Sequence, residues 1–186
     1  MKALTYADRV IHKVTKKGIY VYGTRELTGF TDRILVSDSF WLKRSGADVE
    51  AIKKLFQRAI IEGDTSFNIG PYCSKYYTFL GDAITEASKM FTSDGPYTRR
   101  AVVTFPSSHC FSSIQVLVRP TPDGHIATII VNMRSCNVES NFIDDMLLSH
   151  MLGKLMLDRG FGYGHGVKIK DLAINIGSLH RFIHKK

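Results

Sequence analysis

Three stretches of the chain place apolar residues at helical spacing. In residues 49–61, Val49, Ile52, Leu55, Phe56, Ala59 and Ile60 fall on one face, with Asp48 placed as an N-cap. Leu80, Ile84, Ala87 and Phe91 mark a second amphipathic helix, which the run Ser93-Asp94-Gly95-Pro96 should end. Residues 142–157 are apolar nearly all round, the pattern of a helix buried on most sides. Elsewhere the texture is that of strands. Short β-branched and aromatic runs occupy 19–22 and 33–36 around a polar loop at 23–29, with further runs at 101–105, 114–118 and 126–131. Asp123-Gly124 between the last two is a hairpin signal. Polar loops are expected at 62–71 and 160–166, and residues 167–176 alternate as a last strand. No repeat or linker divides the chain. The expectation is one α+β domain over 1–186, strand-rich in its second half.

Length and composition agree with that picture. A chain of 186 residues can bury a sizeable core, and 44% hydrophobic with 23% charged residues is globular rather than disordered. No apolar run reaches the ~18–20 residues that span a bilayer, and the start MKALTYADRV lacks the apolar core of a signal peptide. The expected location is cytoplasmic, with no membrane partner. Cys73, Cys110 and Cys136 are too few for a disulfide framework and lack zinc-like spacing. A formal charge of +8 favours an anionic partner. The basic residues are dispersed and no nucleic-acid motif accompanies them, so nucleic acid ranks last among such partners.

The second half holds three more specific constellations. The first is Arg99-Arg100, then Phe105-Pro106-Ser107-Ser108-His109-Cys110, then Gln115 five residues on. The second is Met133-Arg134-Ser135-Cys136-Asn137-Val138, leading to Ser149-His150-Met151. The third is Gly177-Ser178-Leu179-His180-Arg181-Phe182. In this order they resemble the thymidylate synthase and pyrimidine hydroxymethylase superfamily. The likeness is best over 80–182 and looser over 20–75, through Arg25, Trp41-Leu42 and Gly70-Pro71-Tyr72.

The resemblance implies a thymidylate synthase-like α+β fold, a mixed sheet against a long buried helix, with the sheet face forming a dimer interface. It implies one-carbon transfer, methyl or hydroxymethyl, to C5 of a pyrimidine nucleoside monophosphate, dUMP foremost, with 5,10-methylenetetrahydrofolate as cofactor. A thiolate adding to C6 makes C5 nucleophilic, which is covalent catalysis through Cys110. Arg134 would favour the thiolate and, with Arg25, Arg99, Arg100 and Ser135, hold the phosphate. Gln115 belongs to the same substrate set. Asn141 would read uracil through its amide, although a small shift of register puts Asp144 there and favours cytosine. His180 would meet the sugar 3′-hydroxyl, Tyr72 would lie near C5, and Asp38 stands in for the proton-transfer glutamate. The arginine pair would reach across a homodimer, so that active sites are shared between subunits.

Several residues depart from the family pattern. Phe111 replaces the His that follows the nucleophile, Asn137 replaces the Asp that binds the pterin ring, and Phe182 replaces the Tyr of the last motif. Phe182 leaves ribose and deoxyribose both open, while Phe111 and Asn137 favour an alternative from another class: a nucleotide-binding homologue that has lost folate chemistry and serves as a sensor or accessory subunit. Cys73 and Cys136 read as core thiols, and His109, His150 and His165 as structural or exposed.

Overall fold

The computed structural model describes residues 6–36, 53–54, 56–64, 66, 68–69, 72–73, 78–162 and 166–183. Helix α1 (Tyr6–Lys17) leads into strands β1 (Ile19–Val21) and β2 (Thr24–Leu35). A π-helical turn at Phe56–Ile61 and a two-residue hairpin, β3 (Asn68–Ile69) with β4 (Tyr72–Cys73), precede α2 (Leu80–Ser93). Then come β5 (Val102–Thr104), β6 (Phe111–Thr121), β7 (Gly124–Asn137), α3 (Phe142–Phe161) and β8 (Val167–Phe182). The result is an α+β structure around one mixed six-stranded sheet, ordered β1-β2-β8-β7-β6-β5. Only the central β7–β8 pair is parallel, because α3 crosses between those strands; the other neighbours are antiparallel.

The core lies on one face of this sheet. Ile114, Val116 and Val118 of β6, Ala127, Ile129, Val131 and Met133 of β7, and Leu172, Ile174 and Ile176 of β8 are all buried there. They form a single cluster with Val10 and Val14 of α1, Ile84 and Phe91 of α2, and Phe142, Leu148, Leu152 and Met156 of α3. Gly153 lets α3 settle onto the sheet: a Cβ there would come within 2.3 Å of the Ile129 Cδ1.

Four neighbouring strands change their inward parity along one line. The inward residues Leu27 and Phe30, Ile176 and Leu179, Met133 and Cys136, and Phe111 and Ile114 are each three apart, where regular alternation would make them two or four. Gly29, with a φ of 62°, sits between the first pair, Gly177 between the second and Arg134 within the third. A register shift between Phe111 and Ser113 absorbs the fourth. This kink runs across the sheet and ends beside Cys110.

The structure corrects several boundaries. Residues expected as a polar loop at 23–29 begin one long strand, since Gly23 closes a tight turn with Tyr22 and Gly29 serves the kink. The last strand runs six residues beyond Ile176 to Phe182, and α3 continues to Phe161, through part of the loop expected at 160–166. The β6–β7 hairpin closes with Thr121 opposite Gly124, so Pro122 and Asp123 are its turn residues. The expected helix over 49–61 is a π-helical turn at its described end, burying Phe56, Ala59 and Ile60; Asp48, Val49, Ile52 and Leu55 lie outside the described residues. Helix α1 has no counterpart in the sequence-based expectations. No helix among the described residues is long and apolar enough to cross a membrane.

Candidate functional site

Cys110 ends the loop that enters β6, and its thiol is free and exposed. Two neighbours on β7 fix the loop. The Arg134 backbone N–H donates to the Cys110 carbonyl at 2.7 Å, and the Arg134 guanidinium donates twice to the His109 carbonyl, at 3.2 and 3.0 Å. The Ser135 hydroxyl lies 3.8 Å from the Cys110 sulfur. Beneath the loop, His109 packs its ring against Phe79 and Phe105, and Phe105 stacks on Phe111 at 5.1 Å. Burial holds the His109 imidazole below its usual pKa. This aromatic support is absent from the sequence-based reading; its signal is the density of Phe around the cysteine (Phe105, Phe111).

Beyond the kink, Ser135 and Asn137 point away from the core, whereas Cys136 points into it. The Cys136 thiol donates to Asp145 at 3.5 Å and is pushed far up in pKa by burial, with Asp145 adding to the shift. Asn137 lies opposite His180 in the parallel pair. The Asn137 side-chain oxygen accepts the Glu139 backbone N–H at 3.0 Å, and its carbonyl accepts the Asn141 N–H at 3.1 Å. Asn141 occupies the N-cap position of α3 without a side-chain capping bond; its amide oxygen accepts the Ser140 hydroxyl instead. Asp144 lies in the first turn of α3. Cys110, Arg134, Ser135, Asn137, Asn141 and His180 thus gather at one end of β7 and β8.

Of the remaining residues, Arg25 lies at the same end on the neighbouring strand β2, and Gln115, Arg99 and Arg100 lie farther along β6. Arg25 pairs with Arg181 in the β2–β8 ladder, and its guanidinium donates to the Thr15 and Gly18 carbonyls at the C-terminal end of α1. A cation there complements the helix dipole. Gln115 pairs with Val102, and its amide donates to the Arg99 carbonyl at 2.6 Å. Gln115 lies five residues along β6 from Cys110, roughly 15 Å at the strand's rise per residue. Arg99 and Arg100 lie beyond that row, and Arg100 pairs with Asp94 at 3.0 Å. Within one chain the arginine pair therefore flanks the middle of β6, five or more residues along the strand from the thiol. Tyr72 lies in β4, but its side chain is outside the described residues, as is Asp38.

The sheet face opposite the helices carries no described helix. One row across it reads Val102, Gln115, Ile130, Ala173, Arg33, and the next Thr104, Ser113, Asn132, Asn175, Thr31. In the second row Asn175 donates to Asn132, and Asn132 to Ser113, each at 2.9 Å. A third row contains Asp171, fully buried and paired with Arg33 at 3.1 Å, whose Oδ1 has no hydrogen-bond partner among the described residues. No known family model matches the chain.

Proposed function

We propose that the chain is a thymidylate synthase-like enzyme that acts at C5 of a pyrimidine nucleoside monophosphate, dUMP foremost, through a Cys110–C6 adduct. The observation that carries this reading is the exposed Cys110 thiol, set on a braced loop beside Ser135 and Arg134 in the order the resemblance requires. The chemistry needs little else. The thiolate adds to C6, the electron pair moves to C5 and O4, and C5 takes a proton from solvent. Loss of either C5 proton and expulsion of the thiolate restore the ring, so C5 hydrogen exchanges with water.

The fold and the dimer belong to the same proposal: a thymidylate synthase-like, cytoplasmic homodimer joined through the open sheet face, with shared active sites. One observation supports it: Arg99 and Arg100 flank the middle of β6, roughly 15 Å along the strand from their own Cys110, a gap that a second subunit's thiol could close.

One-carbon transfer would require methylenetetrahydrofolate, and Asn137 does not fit the ordinary pterin contact. Its neutral amide has one acceptor oxygen, already engaged by Glu139, where the resemblance calls for a carboxylate with two. That misfit favours the second reading, a nucleotide-binding homologue without folate chemistry, which would use the same phosphate-binding arginines.

Intact-mass measurement of the chain with 5-fluoro-dUMP, and deuterium exchange at C5 of dUMP, dCMP, UMP and CMP, separate the two. The enzyme reading expects exchange that Cys110→Ala abolishes. Nucleotide binding with no exchange on any of the four would leave only the second reading.

A further inference from the structure

A cavity of about 490 Å³ lies between α1 and the outer edge of β2, away from Cys110. Its floor is apolar: Val10 and Ile34 are buried, the Tyr6 ring forms one wall, and Leu35 stands exposed at the mouth. β1 pairs with β2 only as far as Glu26, so among the described strands the edge beside this cavity has no neighbour.

The polar groups around the floor are unequally satisfied. Both Asp32 oxygens are engaged: one accepts the Tyr6 hydroxyl at 2.7 Å and the other the Arg33 backbone N–H at 2.8 Å. Arg33 in turn donates to Asp171. Arg9 and Lys13 are different. They stand one turn apart on the same face of α1, where like charges repel. Their only partners among the described residues are rings, Tyr6 under the Arg9 guanidinium at 5.6 Å and Phe30 under the Lys13 ammonium at 4.9 Å. Two cations with no carboxylate partner among the described residues thus overlook, together with the engaged Asp32, an apolar hollow of the size that holds small molecules.

We propose that this cavity is a binding site for a small amphiphilic carboxylate, its anionic head between Arg9 and Lys13 and its hydrocarbon body on Val10, Ile34 and Leu35. A nucleotide fits less well, because the lining's other polar groups, Tyr6, Asp32 and Arg33, are engaged with one another or with Asp171 rather than aimed at a base or a sugar. The site is independent of the Cys110 chemistry and stands whether or not that reading holds.

Isothermal calorimetry of the full chain with decanoate tests it, with butyrate and 1-octanol as probes lacking the long body or the charge. One saturable site per chain is expected, at least tenfold weaker for either control. Arg9→Gln/Lys13→Gln changes two exposed side chains, so its circular dichroism should match the parent while decanoate affinity falls at least tenfold. Leu35→Glu should weaken binding similarly by placing a negative charge at the mouth. Absence of saturable decanoate binding, or equal affinity in the parent and the double variant, overturns the proposal. C5 exchange should be unchanged in all three proteins.

Discussion

Gly177 of β8 lies so close to Arg134 of β7 that a Cβ on the glycine would meet the Arg134 carbonyl oxygen at 2.8 Å. The obstructing atom is main chain in a central strand, so it cannot swing aside as a side-chain tip would. The same Arg134 peptide region holds the Cys110 carbonyl. The close approach of the two strands and the placement of the thiol are therefore one construction.

Gly177→Ala should accordingly destabilise the protein by about 1–3 kcal/mol, the usual cost of forcing extra volume into a packed site. Chemical denaturation measures the loss. Alkylation of Cys110 by iodoacetamide in the native state should change as well, because the strand that braces its loop has moved. An unchanged denaturation midpoint would mean that the strands separate at no cost.

Arg134 gives a sharper test, since its side chain acts on the loop and its main chain does not change on mutation. Arg134→Ala removes both guanidinium bonds to the His109 carbonyl. The guanidinium is exposed, so the expected loss of stability is only about 1 kcal/mol. The effect on function should be far larger, at least a hundredfold in Cys110-dependent C5 exchange, with Arg134→Lys nearly as poor because an ammonium lacks the planar fork. Equal exchange rates in Arg134→Ala and the parent would remove the arginine from the site.

How much of this could be read from the sequence follows from which interactions are local. Helix α3 was legible because Phe142, Met146, Leu152 and Met156 are apolar at every turn and remain buried. The β6–β7 hairpin was legible to within one residue because its turn residues are adjacent. Helix α1 escaped because Val10, Ile11, Val14 and Thr15 are β-branched and argue against a helix by propensity. Its true signal is Tyr6, Val10 and Val14 four apart, with the polar Asp8 and His12 on the opposite face. The kink is the least legible feature. Gly29 and Gly177 read locally as breaks, and only the alignment of four strands makes them part of continuous ones. For the site, motif order grouped Cys110, Arg134, Ser135, Asn137, Asn141 and His180, and the structure places these residues at one end of β7 and β8. It could not show that the Arg25 guanidinium is engaged at the end of α1 or that an aromatic cluster carries the thiol loop.

His109 makes that loop sensitive to acid. Its folded pKa is lowered by burial, so the unfolded chain binds more protons and stability rises with pH. The contribution is complete above the unfolded value near 6.5 and is lost as pH falls toward the folded one. The thermal midpoint should therefore drop between about pH 7 and pH 5 with a slope that His109→Phe reduces. An identical slope in the variant would assign the acid sensitivity to other groups.

The arrangement along β6 leads to the most demanding experiment. The Arg99-Arg100 pair flanks the middle of that strand, five or more residues along it from Cys110, a separation of roughly 15 Å. In a two-fold dimer the same face meets itself, and each site could take its thiol from one subunit and its arginines from the other. Cys110→Ala should inactivate a homodimer by removing the nucleophile. Arg99→Ala/Arg100→Ala should inactivate it by removing two charge-assisted contacts to a dianionic phosphate, each about 1.5–3 kcal/mol. Random exchange between equal amounts of the two variants makes half the dimers mixed. Each mixed dimer then holds one site with both defects and one with neither, so C5 exchange should recover to about a quarter of the parent's rate. Native mass spectrometry verifies that mixed dimers have formed. Zero recovery with mixed dimers present would show that the arginines serve their own chain or lie outside the site.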